Sequence, residues 1–150
     1  MNRKLILLAT LIGFVFCASL AFAQATPDDA KDWVVKAVAF YKAQGKDKAL
    51  AAFKDPKGDF VKDDLYIYVL DANGKMIAHI NPKLIGTDFL TVKDADGKIF
   101  AKEIVETAKA KGSGWVDYKW AHPQTKKVEP KTVYFEMVDD VIICSGAYKK

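Results

Sequence analysis

The longest helical pattern in the chain begins near residue 26. Thr26 is a suitable N-cap, Pro27 takes the first helical position and two aspartates follow in the first turn. Gly45 ends the pattern, and a second short helix is expected over residues 47–53. Apolar residues recur at helical spacing between these limits, namely Ala30, Trp33, Val34, Ala37, Val38 and Tyr41. The spacing predicts an amphipathic helix that buries one face.

A strand pattern replaces the helical one at Leu65. Residues 65–70 and 75–80 are rich in aliphatic and aromatic residues, and they flank the turn Asp71-Ala72-Asn73-Gly74. These features predict a β-hairpin. The preceding stretch, residues 54–64, contains proline and glycine and is expected to be a connecting loop.

A helix and three strands complete the pattern. A helix is predicted over residues 99–111, with Phe100, Ile104, Val105 and Ala108 inward and glycines at its end. The strand patterns that follow lie at residues 115–120, 131–138 and 141–147. Hairpin connections between most of the five strands predict an antiparallel sheet with helices set to the side, which is an α+β architecture.

The first 23 residues have the pattern of a secretory signal peptide. A short basic segment precedes an apolar run, and Ala21-Phe22-Ala23 is a small-x-small cleavage signal. We therefore predict cleavage between Ala23 and Gln24, which leaves one domain, residues 24–150, that is periplasmic or secreted. The alternative is that the uncharged run up to Ala23 is retained as a membrane anchor.

Charge and cysteine content exclude several classes of function. The formal net charge of +4 includes two positive charges in the leader, so the mature chain is nearly neutral and nucleic-acid binding is not expected. Of the two cysteines, only Cys144 lies outside the leader. One thiol in an apolar strand predicts a core residue, and it cannot form an internal disulfide or a cysteine-based metal site.

Tyrosines and tryptophans cluster in the predicted strands. Strand alternation puts Tyr66 and Tyr68 on one face, and it puts Tyr118 and Trp120 on the face opposite Trp115. Such side chains combine an apolar body with one polar group, as in small-ligand pockets. The alternative for each of them is a place in the core or on the sheet surface.

Two polar residues suggest the kind of ligand. If His79 and Lys131 face one apolar cavity, their donors and charge suit a carboxylate. The sequence has no metal-ligand spacing between His79 and His122 and no nucleophile–base pair. We therefore expect neither an enzyme nor a cofactor or metal.

Several segments, taken in order, resemble single Cache domains of the second type. The resemblance covers nearly all of the mature chain and rests on residues 66–74, 77–79, 81–86, 96–97, 102–103, 114–120, 146–148 and Pro123, Lys126, Lys131 and Tyr134. It implies a PAS-like (Cache) fold, with a five-stranded antiparallel sheet, a long N-terminal helix and a crossing helix. It also implies an extracytoplasmic sensor whose pocket takes small carboxylates such as acetate, propionate, lactate or pyruvate. By motif position, the pocket candidates are Tyr68, His79, Trp115, Tyr118 and Lys131, followed by Tyr66, Trp120 and Tyr134.

The leading hypothesis is thus a periplasmic module for sensing a small organic acid, in which Lys131 and His79 hold the carboxylate and Trp115 caps the pocket. Because the chain ends at Lys150, we expect it to act without its own output domain, through a membrane receptor or kinase partner. One alternative is an interaction protein that docks to a membrane partner through its first helix and has lost its pocket. A homodimer through the first helix is also open, and a lyase or hydrolase is the least favoured interpretation.

Overall fold

The computed structural model describes residues 23–149. The predicted leader, apart from Ala23, therefore lies outside the described residues. Within the described range, no helix combines the length and the apolar character needed to cross a membrane.

The two N-terminal helices form as the sequence predicts. Helix α1 spans Pro27–Gln44, and Thr26 caps it through a reciprocal pair of hydrogen bonds with Asp29. Helix α2 spans Lys46–Lys54. Gly45 lies between them with a φ of 84°, a left-handed conformation that glycine adopts without steric cost.

Seven strands follow, in two sheets. The five-stranded sheet is antiparallel, in the order β4-β3-β7-β6-β5, and a two-stranded sheet pairs β1 with β2. The strands are β1 (Val61–Lys62), β2 (Leu65–Tyr66), β3 (Tyr68–Asp71), β4 (Met76–Ala78), β5 (Ser113–Ala121), β6 (Val128–Val138) and β7 (Val141–Tyr148). The predicted α+β fold class is confirmed, including the five-stranded antiparallel sheet.

Two local predictions differ from the structure. The predicted strand over residues 65–70 is divided at Ile67, because its first half pairs with Val61–Lys62 in what was expected to be only a loop. Residues 79–92 contain two short 3-10 helices, Pro82–Leu84 and Phe89–Thr91, which the sequence pattern did not reveal. This segment covers part of the sheet, and we refer to it as the cover segment.

The five-stranded sheet separates two apolar layers. Helices α1 and α2 pack on one face, against residues such as Ile67, Val69 and Ile143. Helix α3, which spans Phe100–Lys111, packs on the other face together with residues of the cover segment. We call these the α1 face and the α3 face of the sheet. The inward residues that the sequence predicts for α3 are all buried.

Candidate functional site

A lysine lies fully buried on the α3 face. Lys131 is 1% exposed, and its Nζ donates a hydrogen bond of 2.9 Å to the Tyr66 hydroxyl. The ammonium also lies 4.2 Å from the centroid of the Tyr66 ring and 4.9 Å from that of Tyr148. Aromatic faces attract a cation, so these rings replace part of its lost hydration.

The neighbouring strand makes room for this lysine at a glycine. A Cβ atom on Gly146 would lie 2.6 Å from Lys131 Cε and 2.5 Å from Val133 Cγ2. Because Gly146 has no side chain, the lysine stem can lie across β7 toward the tyrosines. Gly146 is therefore a positioning residue for the ammonium.

Among the described residues, Lys131 has no salt-bridge partner. Within residues 23–149, no Asp or Glu oxygen lies within 4.0 Å of its Nζ. A buried charge without an opposite partner is costly, since neither water nor a counter-ion stabilises it fully. The arrangement therefore favours an anion.

His79 lies beside this ammonium and is held neutral. Its ring centroid is 5.1 Å from that of Tyr66, and the side chain is 6% exposed. Burial lowers the pKa of His79 to about 3, with a further contribution from the charge of Lys131. Its Nδ1 accepts a 2.8 Å hydrogen bond from the backbone N–H of Asn81, so the neutral ring carries its proton on Nε2 as a donor.

Two further tyrosines are paired deeper on the same face. The hydroxyl oxygens of Tyr68 and Tyr118 lie 2.9 Å apart, and the Tyr118 ring stacks on Phe100 with centroids separated by 3.8 Å. Burial holds the pKa of both tyrosines well above the ordinary range, so both remain protonated. One hydroxyl donates to the other, so the pair has one O–H left to donate to a ligand.

The structure brings together six of the eight sequence-predicted site residues. Five of them form what we call the lysine–tyrosine cluster: Tyr66, Tyr68, His79, Tyr118 and Lys131. The sixth, Trp120, packs at the rim against Phe89 and Phe100.

Trp115 and Tyr134 do not join them. Their rings contact each other, with centroids 5.0 Å apart, and Tyr134 packs into the layer of α1. Trp115 is 41% exposed. Both lie on the α1 face because each is an odd number of residues away from Tyr118 or Lys131 in its own strand. The prediction that Trp115 caps the pocket is therefore wrong, because its ring lies on the opposite face of the sheet from the lysine–tyrosine cluster.

Space at the cluster is smaller than the sequence led us to expect. The cavity lined by Tyr66, Tyr68, His79 and Tyr118 has a volume of about 10 Å³, roughly the room for one water molecule. Met76, Phe89, Phe100 and Trp120 complete its lining. The pocket that the family resemblance implies is thus almost closed by side chains.

A much larger cleft lies directly outside. It has a volume of about 730 Å³ and runs between the cover segment and residues 120–126. Tyr66, His79 and Trp120 line both the cleft and the inner cavity, so these side chains form the boundary between them.

Three contributors to this site were missed by sequence reasoning. Met76 and Phe89 close the cavity, and Tyr148 supplies one of the rings around the ammonium. Alternation along β7 places Tyr148 on the same face as Gly146, and this pattern is the sequence signal that indicates Tyr148 as a site residue. No pattern in the sequence indicated Phe89, because it lies in a 3-10 turn.

The five-stranded antiparallel sheet with helices on both faces defines the class of protein as a PAS-like domain. Comparison with known proteins identifies the family within this class. The model of the family described as Single Cache domain 2 matches residues 23–150, and the chain belongs to that family. Its related domains are extracytoplasmic sensors rather than enzymes.

Two curated relatives are signalling proteins. The methyl-accepting chemotaxis protein McpP of Pseudomonas putida is 35% identical over 88 residues, which cover 57% of this chain and 16% of McpP. The sensor histidine kinase MctS of Rhizobium johnstonii is 34% identical over 93 residues, which cover 60% of this chain and 20% of MctS. The match thus spans a fifth or less of the length of each relative.

A solved structure gives the same family relation. A Cache chemosensory domain described for its recognition of carboxylic acids is 30% identical to this chain. The TM-score is 0.63, and the match covers 82% of this chain and 88% of that one.

Proposed function

We propose that this chain is a periplasmic sensor module that binds a small carboxylate at the lysine–tyrosine cluster. The observation that carries the proposal is the buried Lys131 ammonium, which has a tyrosine hydroxyl as its hydrogen-bond partner and no carboxylate within 4.0 Å in residues 23–149. A carboxylate would supply the missing charge through charge-assisted hydrogen bonds.

The neighbouring groups suit the same ligand. His79 is neutral and offers an Nε2–H donor, while a tyrosine hydroxyl can donate to the second carboxylate oxygen. The surrounding Met76, Phe89 and Phe100 suit an apolar remainder of the ligand. The carboxylic-acid-recognising relative supports this choice of ligand class.

Binding requires the site to open, since about 10 Å³ does not hold an acid. The cover segment separates the cluster from the outer cleft. It follows β4, an edge strand of three residues, and its backbone bonds to Met76 of that strand at Gly86 and Thr87. We propose that β4 and the cover segment move outward and that the acid enters from the outer cleft, past Trp120.

Calorimetry and thermal shift with acetate, propionate, lactate and pyruvate test the proposal. Native-state binding raises the melting temperature by mass action. In Lys131→Met the affinity should fall about tenfold or more, because a buried charge-assisted bond is lost. Lys119→Met is the matched control, since Lys119 is half-buried on the same sheet and pairs with Asp96 instead. Equal affinity of Lys131→Met and the native protein would refute a carboxylate site at Lys131.

Tryptophan fluorescence tests the entry route. Trp120 lines both cavities, so an acid that enters there should change its emission. The ligand-induced change should disappear in Trp120→Phe and persist in Trp115→Phe, whose ring lies on the α1 face. Persistence of the full change in Trp120→Phe would contradict entry at this point.

A second candidate is a protein-interaction module with a vestigial pocket. The almost filled cavity favours it. Helix α1 argues against it, because its aromatic side chains are not free for a partner. Tyr41 is buried, and the Trp33 indole N–H donates a 3.0 Å hydrogen bond to the Phe60 carbonyl. In either case we propose a membrane receptor or kinase as the partner. Absence of any acid-induced stabilisation would favour this second function.

A further inference from the structure

A second group of cavities surrounds the predicted start of the mature chain. One has a volume of about 510 Å³ and the other about 360 Å³. Ala23, Gln24, Asp63 and Asp64 line both of them, so the segment 23–24 lies between the two. We call the two cavities together the N-terminal cleft.

In the lining of the N-terminal cleft, acidic side chains outnumber lysines. Lys62 and Lys149 are the lysines among its lining residues, and Lys149 is already paired with Asp117 at 2.9 Å. Five acidic residues line the cleft, against two lysines: Asp29, Asp32, Asp63, Asp64 and Glu129. The balance of charge favours a positive group in this cleft.

One of these acids is buried and incompletely bonded. Asp64 is 4% exposed, and its Oδ1 has no hydrogen-bond partner among residues 23–149. Its Oδ2 lies 3.7 Å from His122 Nε2, which is longer than a hydrogen bond. A buried carboxylate oxygen without a donor is costly, and within residues 23–149 no donor reaches Asp64 Oδ1.

Residue 24 is held in the lining of the same cleft as Asp64. The Gln24 side-chain amide donates a hydrogen bond to the Tyr148 carbonyl oxygen. The next residue, Ala25, packs against a small apolar cluster that includes Leu65, the residue directly after Asp64 in the chain. Residue 24 is therefore held in the cleft by its own side chain and by the packing of the residue that follows it.

We propose that the N-terminal cleft is a binding site for the α-ammonium of Gln24, freed by leader cleavage, and that Asp64 is its counter-ion. A leader peptidase hydrolyses the Ala23–Gln24 bond with one water molecule, which leaves a carboxylate on Ala23 and an ammonium on Gln24. Before cleavage, the same nitrogen is an uncharged amide. Processing thus creates the cation that the acidic lining lacks.

This inference rests on the proposed cleavage and not on the proposed carboxylate site. The intact mass of the exported protein tests the cleavage by itself. A start at Gln24 with a free amine is expected, and a chain that retains residues 1–23 would overturn the inference while leaving the ligand proposal untouched.

A double-mutant cycle on the mature protein tests the ion pair. Four forms are compared by thermal unfolding near pH 7, where an α-amine is largely protonated. They combine a free or an α-N-acetylated Gln24 with either the native Asp64 or the Asp64→Asn substitution. We expect acetylation to lower the melting temperature of the native sequence by about 3 °C or more. In the Asp64→Asn variant, acetylation should shift it by less than a third of that.

Asp63→Asn is the matched control, because Asp63 is the exposed neighbour that lines the same cleft. In that variant the effect of acetylation should be retained. Equal effects of acetylation on the native sequence and on the Asp64→Asn variant would overturn the pairing.

A measurement on the native protein keeps the test decisive if Asp64→Asn does not fold. The α-amine of the mature chain should react with acetic anhydride about tenfold more slowly than the α-amine of a short peptide with the same first residues. The reason is that pairing with a carboxylate favours the protonated amine, whereas only the neutral amine reacts. Equal reaction rates would contradict the proposal.

Discussion

The two faces of the sheet differ in the polar groups that they bury. On the α1 face, Phe53 packs edge-on against Phe60 at 4.8 Å, and most of the other buried residues are aliphatic. On the α3 face, the interior contains a lysine ammonium, an imidazole and tyrosine hydroxyls. The α1 face is therefore mostly apolar, with a few polar groups such as the Tyr134 hydroxyl, whereas the α3 face surrounds a buried ammonium with polar groups.

The difference assigns separate tasks to the two faces. Apolar packing contributes free energy in proportion to buried area, and it needs no particular partner. Buried polar groups contribute little net stability unless every member is satisfied. Apolar packing on both faces thus contributes stability, while the polar groups of the α3 face carry an energetic cost that a bound ligand can relieve. Three predictions test this division.

The largest effect is expected from Phe53→Ala. Phe53 is fully buried on the α1 face, so its truncation should lower the free energy of unfolding by about 3–5 kcal/mol. The affinity of the folded protein for an acid should not change, because the ring is remote from the lysine–tyrosine cluster. Denaturant unfolding and calorimetry below the melting temperature measure the two quantities.

Phe53→Leu provides a milder version in case the alanine variant does not fold. Its loss of stability should be smaller, again with unchanged affinity. A loss of affinity in proportion to the loss of stability would show that the two faces are not independent.

The second prediction concerns acid stability on the α3 face. His79 has a pKa of about 3 in the folded protein, against an ordinary value of 6.5. Between these values the unfolded chain binds a proton that the folded chain does not, so stability falls as the pH falls, by up to about 1.4 kcal/mol per pH unit. The contribution is fully present above pH 6.5 and is lost progressively toward pH 3.

His79→Asn should remove this dependence. Asparagine retains an acceptor for the Asn81 N–H and does not titrate. Denaturant unfolding at pH 6 and pH 4 should show about 2 kcal/mol less loss in the variant than in the native protein. Above pH 7 the two pH profiles should run parallel, which is the internal control. Parallel profiles down to pH 4 would mean that His79 takes up its proton in the folded state.

Much of the fold could be predicted from sequence because its signals are local. Helix α1 is specified by Thr26 at its start and Gly45 at its end, both within the segment itself. The order of strands is different, because β3 lies beside β7 through residues far apart in the chain. Local periodicity does not contain that pairing.

The candidate site was predictable to the extent that alternation determines it. Alternation places Trp115 on the face opposite Tyr118 and Tyr134 on the face opposite Lys131, whereas the family resemblance indicates both as pocket candidates. The volume at the cluster could not be predicted. It depends on how Phe89, from a separate turn, packs against residues of several strands.

The smallest expected effect concerns the hydroxyl pair of Tyr68 and Tyr118. Each hydroxyl is buried, and the two oxygens are 2.9 Å apart. Tyr68→Phe leaves the Tyr118 hydroxyl without this partner, which should cost about 1–2 kcal/mol of unfolding free energy, and the converse holds for Tyr118→Phe. The double variant removes both polar groups and should be more stable than the sum of the single losses predicts, with a coupling of about 1 kcal/mol.

On the α1 face, the corresponding test has no coupling of this kind to reveal, since Phe53 and Phe60 contain no polar atom that a substitution could orphan. A strictly additive result for the tyrosine pair would mean that water already satisfies each hydroxyl in the folded protein. The pocket would then be wet at this depth, and an entering acid would displace water rather than complete a dry polar cluster.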